Sequence, residues 1–363
     1  MISPVSAARG RAHATYDPLM IYGASGFTGR LITRRLTRLG VRPLLCGRSR
    51  PKLAAVAEPL GLEYRIANLA DEHALDRALG DVDVVLHAAG PFSATSRPMV
   101  DACLRTRTHY VDISGEIPVI EDLARRDTEA RARKTMIMPG AGFDVVPSDC
   151  LAAHVARRLP WATKLSLGLT GLAFATRGSA KTLVEHAGYV AIRRNGVITR
   201  VVPGARERAF DYGAGLRRSL NVSWGDVAAA YYSTGIPNIE VYFESTTALR
   251  SMLTASRYFA PWLRADPSQA WLKAWAELLP EGPGESERDA KTMVIVADAE
   301  DGDRHAIARL RTPEAYTFTA MTAPAIAQRV LAGDIEPGFQ TPARVYGPDF
   351  VLGFAGVVRE DVQ

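Results

Sequence analysis

Leu19-Met20-Ile21-Tyr22-Gly23-Ala24-Ser25-Gly26-Phe27-Thr28-Gly29-Arg30-Leu31 is the stretch that decides the fold. An apolar strand runs into three glycines, and Leu31, Ile32, Leu36 and Leu39 follow at helical spacing. A strand that becomes a helix through glycines turns the helix N-terminus toward a bulky anion. Gly23 permits the tight turn, Gly26 lets the backbone approach a pyrophosphate, and Gly29 lets the helix pack on the strand. Free N–H groups and the helix dipole hold the negative charge. Glycines alone would also fit a plain turn. The strand before, the helix after and the second strand beyond select a dinucleotide site, with Gly23, Ser25, Gly26, Phe27, Thr28 and Gly29 as its contacts.

The second strand indicates which dinucleotide. It reads Pro43-Leu44-Leu45-Cys46 and is followed by Gly47-Arg48-Ser49-Arg50. Sites for NAD usually carry Asp or Glu here, about 20 residues past the glycines, to hold a ribose 2′-hydroxyl. This chain has no acid there. Arg48, Ser49, Arg50 and Lys52 suit a 2′-phosphate through charge-assisted hydrogen bonds, so NADPH is the expected cofactor. The competing reading is a solvated basic turn.

Outward from this start, short apolar strands alternate with amphipathic helices. Strands are expected at 19–22, 43–46, 63–67, 82–88, 109–113 and 135–138, and helices at 27–39, 51–59, 71–79, 96–106 and 117–133. Asp71 is the N-cap of the third helix. The alternation predicts an α/β chain whose first domain is a Rossmann-type parallel, doubly wound sheet. Near residue 160 the style changes. Ile239-Glu240-Val241-Tyr242-Phe243 alternates with period two, and Met293–Ala297 and His305–Leu310 flank the turn Glu300-Asp301-Gly302-Asp303. An inserted α+β domain on a mainly antiparallel sheet is expected, with helices at 180–192, 246–264, 267–279 and 316–332. The expected division is a mobile arm at 1–17, an NADP-binding domain at 18–160 and a substrate domain at 161–334. A segment at 335–363 is expected to return to the first domain.

Composition narrows the classes. The chain has 363 residues, 47% of them hydrophobic and 23% charged, as in water-soluble globular proteins. A net charge of +5 is spread along the chain without a cationic block, so no nucleic-acid partner is expected. Cys46, Cys103 and Cys150 are far apart, and neither they nor the histidines show metal-ligand spacing. No metal is expected. The N-terminal stretch lacks the apolar region of a secretory signal, and no apolar run is long enough to span a bilayer. A cytoplasmic location fits.

Several motifs resemble the saccharopine dehydrogenase-like reductases. They are Gly23–Gly29, Cys46-Gly47-Arg48-Ser49, His87-Ala88-Ala89-Gly90-Pro91-Phe92, Tyr110–Glu116, Gly140–Asp149, Thr176–Thr182 and Gly338–Ala343. The likeness is dense over 19–190, thin over 190–310, and returns near 335–350. Within the family the chain looks most like the trans-acting enoyl reductases of actinobacterial lipid assembly. The resemblance implies a Rossmann domain interrupted by a substrate domain, with hydride transfer from NADPH. Short-chain dehydrogenase chemistry is set aside, because Tyr189 is followed at the Tyr-x-x-x-Lys position by Arg193.

Ligands of open α/β sheets sit beyond the carboxyl ends of the strands. There the chain offers Ala89, Gly90, Pro91 and Phe92 after the fourth strand, Asp112 and Ser114 after the fifth, and Gly142 and Phe143 after the sixth. All are expected cofactor contacts, and Asp144 is a catalytic candidate. Asp112 and Asp144 read equally well as turn formers bonded to their own backbone. His87, inside an apolar strand, reads as a core histidine before a proton carrier. Ser179, opening a predicted helix, is a catalytic candidate for holding a substrate oxygen, or else an N-cap. His186 is a candidate proton carrier, or a packing residue. An aromatic stripe runs from Tyr258 through Trp262, Trp271 and Trp275. It reads as core or homodimer contact, as an apolar wall for a lipid-like substrate, or as a peripheral membrane contact.

The leading expectation is an NADPH-dependent reductase of a C=C bond conjugated to a carbonyl. Its substrate would be a hydrophobic acyl or lipid-like compound, free or carrier-bound. The alternatives are saccharopine-type reduction of a C=N bond and a non-catalytic NADPH-binding regulator.

Overall fold

A computed structural model describes residues 15–171, 189–258 and 282–362. The first half alternates β1 (Leu19–Tyr22), α1 (Phe27–Arg38), β2 (Leu44–Gly47), α2 (Arg50–Ala57), β3 (Tyr64–Ile66), α3 (Glu72–Leu79), β4 (Val84–His87), α4 (Phe92–Thr106), β5 (His109–Asp112), α5 (Ile117–Ala124), α6 (Asp127–Ala132) and β6 (Met136–Met138). The central strands are apolar and buried along their whole length, as a parallel sheet covered on both faces requires. The strands pair in the order β15-β6-β5-β4-β1-β2-β3, all parallel, with β15 (Gly338–Phe339) arriving from the far end of the chain. Strand order reverses at β1, which opens a crevice between the carboxyl ends of β1 and β4.

Local chemistry accounts for most boundaries. Asp71 caps α3 by accepting from the Ala74 N–H at 2.9 Å. The helix expected from 96 starts already at Phe92, directly after Pro91. The single helix expected over 117–133 is two, broken at Arg125 and Arg126. The Arg126 side chain is tied there to Asp101 and Glu129, each at 2.8 Å.

α7 (Val146–Arg158) leads out to a second sheet. This contains β7 (Lys164–Thr170), β8 (Val190–Arg194), β9 (Val197–Val201), β10 (Glu207–Asp211), β11 (Leu216–Val222), β12 (Asn238–Glu244), β13 (Thr292–Asp301), β14 (Arg304–Pro313) and β16 (Val358–Val362). Its main order is β10-β11-β12-β7-β13-β14-β16, with β8 beside β12 and β9. Only β7 and β12 run parallel, so the sheet is mainly antiparallel. The hairpin β13–β14 turns at Gly302, whose φ of +60° suits glycine. Residues 190–192, expected to be helical, form part of β8 instead, Tyr189 before them is not helical either, and 180–188 lie outside the described residues. The helices α8 (Asp226–Thr234), α9 (Thr247–Tyr258) and α10 (Glu285–Ala290) complete this half.

The chain crosses back through α11 (Ala315–Leu331), which packs against α1, β4 and β5 of the first sheet. α12 (Pro342–Tyr346) follows β15, and the last strand, β16, joins the second sheet beside β14. A buried ion pair also ties the two halves together. Arg193 of β8, 3% exposed, pairs with Glu121 of α5. It also donates to the Val227 carbonyl at 2.9 Å and lies over the Tyr231 ring at 4.1 Å. Removing one partner of a buried pair strands the other charge. Glu121→Ala is therefore expected to lower unfolding free energy by about 3 kcal/mol, measured by urea denaturation.

Candidate functional site

The three glycines after β1 have different duties. Gly23 has φ +87°, and a Cβ there would stand 2.8 Å from the Ala89 Cβ and N. A Cβ on Gly29 would stand 2.9 Å from the Ala24 Cα and nearer still to the Gly23 carbonyl. Packing therefore requires both. Gly26 has φ −73° and is exposed, and its Cβ would meet only the Gly23 carbonyl, at 3.4 Å. The fold does not need glycine there, and an approaching ligand would. No side chain caps α1 among the described residues and no acid stands in its first turn, which leaves its N–H donors open to an anion. Arg30 steadies the loop by donating to the Ser25 carbonyl at 2.7 Å. Phe27 and Thr28 begin the helix, half-buried. This cradle, which a Cβ at 26 would fill, fits the pyrophosphate of a dinucleotide.

Beyond β2, Arg48 is exposed and no ion pair engages it among the described residues. Ser49 is the extended N-cap of α2, and Lys52 lies exposed in that helix's first turn. Both cations stand exposed, as contact with a 2′-phosphate would require. NADPH is expected to bind at least ~10-fold, or ~1.4 kcal/mol, more tightly than NADH. Arg48→Ala should weaken NADPH and leave NADH nearly unchanged. Titration with both cofactors checks this, and equal affinities for the unmutated protein would contradict it.

The loop after β4 is organised by Glu116, which the sequence places after the fifth strand without assigning it a role. The Glu116 carboxylate accepts from the Phe92 and Ser93 N–H groups at 2.8 and 2.7 Å. It fills the N-terminus of α4, so those donors are committed to Glu116 and not to a phosphate. Ala89 and Gly90 border the crevice, where Ala89 lies against Gly23. Pro91 is the N-cap of α4, and Phe92 packs edge-on to His87.

Asp112 and Ser114 are wholly buried and fasten the loops. Asp112 accepts from the Tyr110 hydroxyl at 2.7 Å, the Ser114 N–H at 2.8 Å and the Gly140 N–H at 3.0 Å. The Ser114 hydroxyl accepts from the Glu116 N–H at 3.1 Å. Their side chains thus do what turn formers do, and their backbone shapes the crevice. Burial pushes Asp112 up to about 6. His87 is a core histidine. Burial pulls it down to about 3, and its Nδ1 lies 3.1 Å from the Tyr110 hydroxyl.

Helix α11 braces the loop after β6. The Phe143 N–H donates to the Thr319 hydroxyl at 2.9 Å, and the Thr322 hydroxyl donates to the Ala141 carbonyl at 2.8 Å. Gly142 lies so close that a Cβ would be 3.0 Å from Thr319. Phe143 itself is buried against Phe318. Asp144 is half-buried, and among the described residues its carboxyl has no hydrogen-bond partner. It lies against Gly115, where a Cβ would be 2.7 Å from the Asp144 Cβ. Burial, with the Glu116 charge added, raises Asp144 to about 7. Behind it are two further acids that sequence reading did not single out. Burial lifts Asp149 to about 6, although it accepts from the Ala343 N–H at 2.8 Å. Asp226 is wholly buried with neither oxygen hydrogen-bonded, and burial, Asp149 and Asp144 hold it well above the carboxylate range.

Ser179, His186 and the aromatic stripe beyond Tyr258 lie outside the described residues. Asp298, Glu300 and His305 are spaced to hold a cation. Arg208 already pairs with both carboxylates, and Lys164 meets Glu300 at 3.1 Å. No helix among the described residues is long and apolar enough to cross a membrane.

The crevice at the strand-order switch, the open helix N-terminus and the acid-free second strand define a dinucleotide-binding α/β domain. Residues 19–138 match the family described as the saccharopine dehydrogenase NADP binding domain. A human saccharopine dehydrogenase-like oxidoreductase is 32% identical over 151 residues, which are 36% of this chain and 35% of that one. A trans-acting enoyl reductase of Mycobacterium leprae is 32% identical over 149 residues, 39% of this chain and 36% of its own length. The aligned part of the chain thus spans about a third of the length of these curated relatives. Among solved structures, apo saccharopine dehydrogenase (L-Glu forming) from Saccharomyces cerevisiae superposes over 95% of this chain and 99% of its own. The TM-score is 0.63 at 14% identity, a likeness of fold across both domains.

Proposed function

We propose that the protein is an NADPH-dependent reductase of a C=C bond conjugated to a carbonyl, acting on a hydrophobic acyl or lipid-like substrate. Asp144 is the observation that carries the reading. It is a half-buried carboxyl without a hydrogen-bond partner among the described residues, in the loop beyond the carboxyl end of β6, raised to about 7. Such a group still holds its proton near neutral pH and can give it up, as a general acid must. When bound, NADPH supplies a hydride to the electrophilic β-carbon. Electron density then moves to the α-carbon and carbonyl oxygen, and Asp144 donates its proton to the α-carbon, leaving a carboxylate that water reprotonates. Gly23, Ser25, Gly26, Thr28 and Gly29 hold the pyrophosphate, while Arg48, Ser49 and Lys52 hold the 2′-phosphate. The backbone at Ala89–Phe92, Asp112–Ser114 and Gly142–Phe143 walls the nicotinamide end. The names of the enoyl-reductase relatives support the substrate class.

The test is NADPH oxidation by the full chain with enones, enoyl thioesters free and carrier-bound, and imines. Turnover of the conjugated alkenes is expected. Activity confined to imines would replace the reading with C=N reduction, and NADPH binding without any turnover would leave a regulator.

A further inference from the structure

We propose that Gly282 and Tyr316, both far beyond the dinucleotide domain in sequence, set the affinity of the glycine loop for NADPH by clamping the Phe27 ring. The proposal rests on the reading that this loop holds the cofactor's pyrophosphate. Phe27 is the first residue of α1, immediately after Gly26, and its N–H is one of the donors the helix end leaves open. One side of its ring meets Tyr316 edge-on, with centroids 5.2 Å apart and planes at 89°. Gly282 is pressed against the ring from elsewhere. A Cβ there would stand 2.6 Å from Cδ1 and closer still to Cε1 and Cζ. Gly282 is not in the left-handed conformation, so glycine is called for by the nearness of the ring and not by the backbone.

The two clamping residues are themselves anchored. Tyr316 lies in the first turn of α11, which the Glu314 carboxylate holds through the Tyr316 and Thr317 N–H groups at 2.9 and 3.0 Å. Gly282 leads into α10, which packs on α11. The same α11 holds the loop after β6 through Thr319 and Thr322. One helix therefore touches the pyrophosphate end of the crevice through Phe27 and the nicotinamide end through Phe143. Displacing the ring turns the Phe27 backbone, and a donor that must point at a phosphate oxygen is misaimed. Hydrogen bonds weaken steeply with such misalignment.

NADPH affinity is measured by fluorescence titration on the full chain for the unmutated protein, Gly282→Ala, Phe27→Ala and the double variant. Gly282→Ala is expected to weaken binding ~10-fold, and to add nothing once Phe27 is alanine, because the two act through one contact. Unchanged affinity in Gly282→Ala would overturn the proposal, as would an equal loss in both backgrounds. If Gly282→Ala does not fold, Tyr316→Ala takes its place in the same cycle, with the same dependence on the ring. Gly26→Val serves as the control. Normal NADPH binding by that variant would remove the site reading itself, whereas its loss beside a flat Gly282 result would remove only the clamp.

Discussion

Gly26→Val is expected to abolish NADPH binding, with affinity falling at least ~1,000-fold, or ~4 kcal/mol, while the chain stays folded. The expectation comes from the contrast among the three glycines. At position 26 the backbone has φ −73°, which any residue adopts, and a Cβ would have only a carbonyl oxygen at 3.4 Å for company. Valine's branches would project into the space where the pyrophosphate must approach the helix N-terminus. The folding cost should be about 1 kcal/mol or less, the difference between glycine and a β-branched residue at an N-cap. Gly29→Val should behave in the opposite way and unfold the domain, because its Cβ would collide with the backbone at Gly23 and Ala24. Thermal unfolding measured beside NADPH titration separates the two outcomes. A Gly26→Val chain that binds NADPH normally would mean the anion site is elsewhere.

Asp144→Asn is expected to lower the rate of substrate reduction ~100-fold or more, the usual contribution of a positioned general acid. Asparagine keeps the shape and loses the proton. In the unmutated protein the rate should decline as pH rises above about 7, where Asp144 gives up its proton. The same shift has a consequence for stability, with a definite sign. The folded-state value lies above the ordinary 3.8, so the folded chain binds this proton more tightly than the unfolded chain. Stability therefore falls as pH rises from 3.8 toward about 7 and stays lowered beyond it. Asp112 and Asp149, raised to about 6, act in the same direction within that window. The asparagine side chain carries no charge to desolvate. The variant should equal its parent in stability near pH 3.5 and exceed it at pH 8, as read by chemical denaturation at both. Loss of activity together with loss of stability at pH 8 would assign Asp144 to packing instead of proton transfer.

The nucleotide domain was legible because its signals are local. A strand, three glycines and an amphipathic helix lie within a few turns of chain. Period and turn chemistry place β1 through β6 to within about two residues, the ordinary tolerance of element ends. The missing acid after β2 is equally local, and so is the hairpin at Gly302. α7 and α8 escaped because they are buried nearly all round. Val146–Cys150 buries even its polar Ser148 and Asp149, Val227–Ala230 is wholly apolar, and helical periodicity is visible only where one face meets water. The same limit hid the acids behind Asp144. Asp226 opens a helix and reads as an ordinary first-turn acid until the fold removes water from both its oxygens.

The sequence by itself determined the glycine turn after β1 and the exposed cations at Arg48 and Lys52, on which the proposed dinucleotide site rests, because backbone freedom and charge belong to single residues. Tertiary structure alone decided that Glu116 would fill the N-terminus of α4. It alone turned Asp112 inward as a fastener, left Asp144 without a hydrogen-bond partner among the described residues, and brought Thr319, Tyr316 and Gly282 against loops far earlier in the chain. Each of those outcomes depends on which groups are desolvated together, and desolvation is a property of the assembled core that no stretch of chain carries alone.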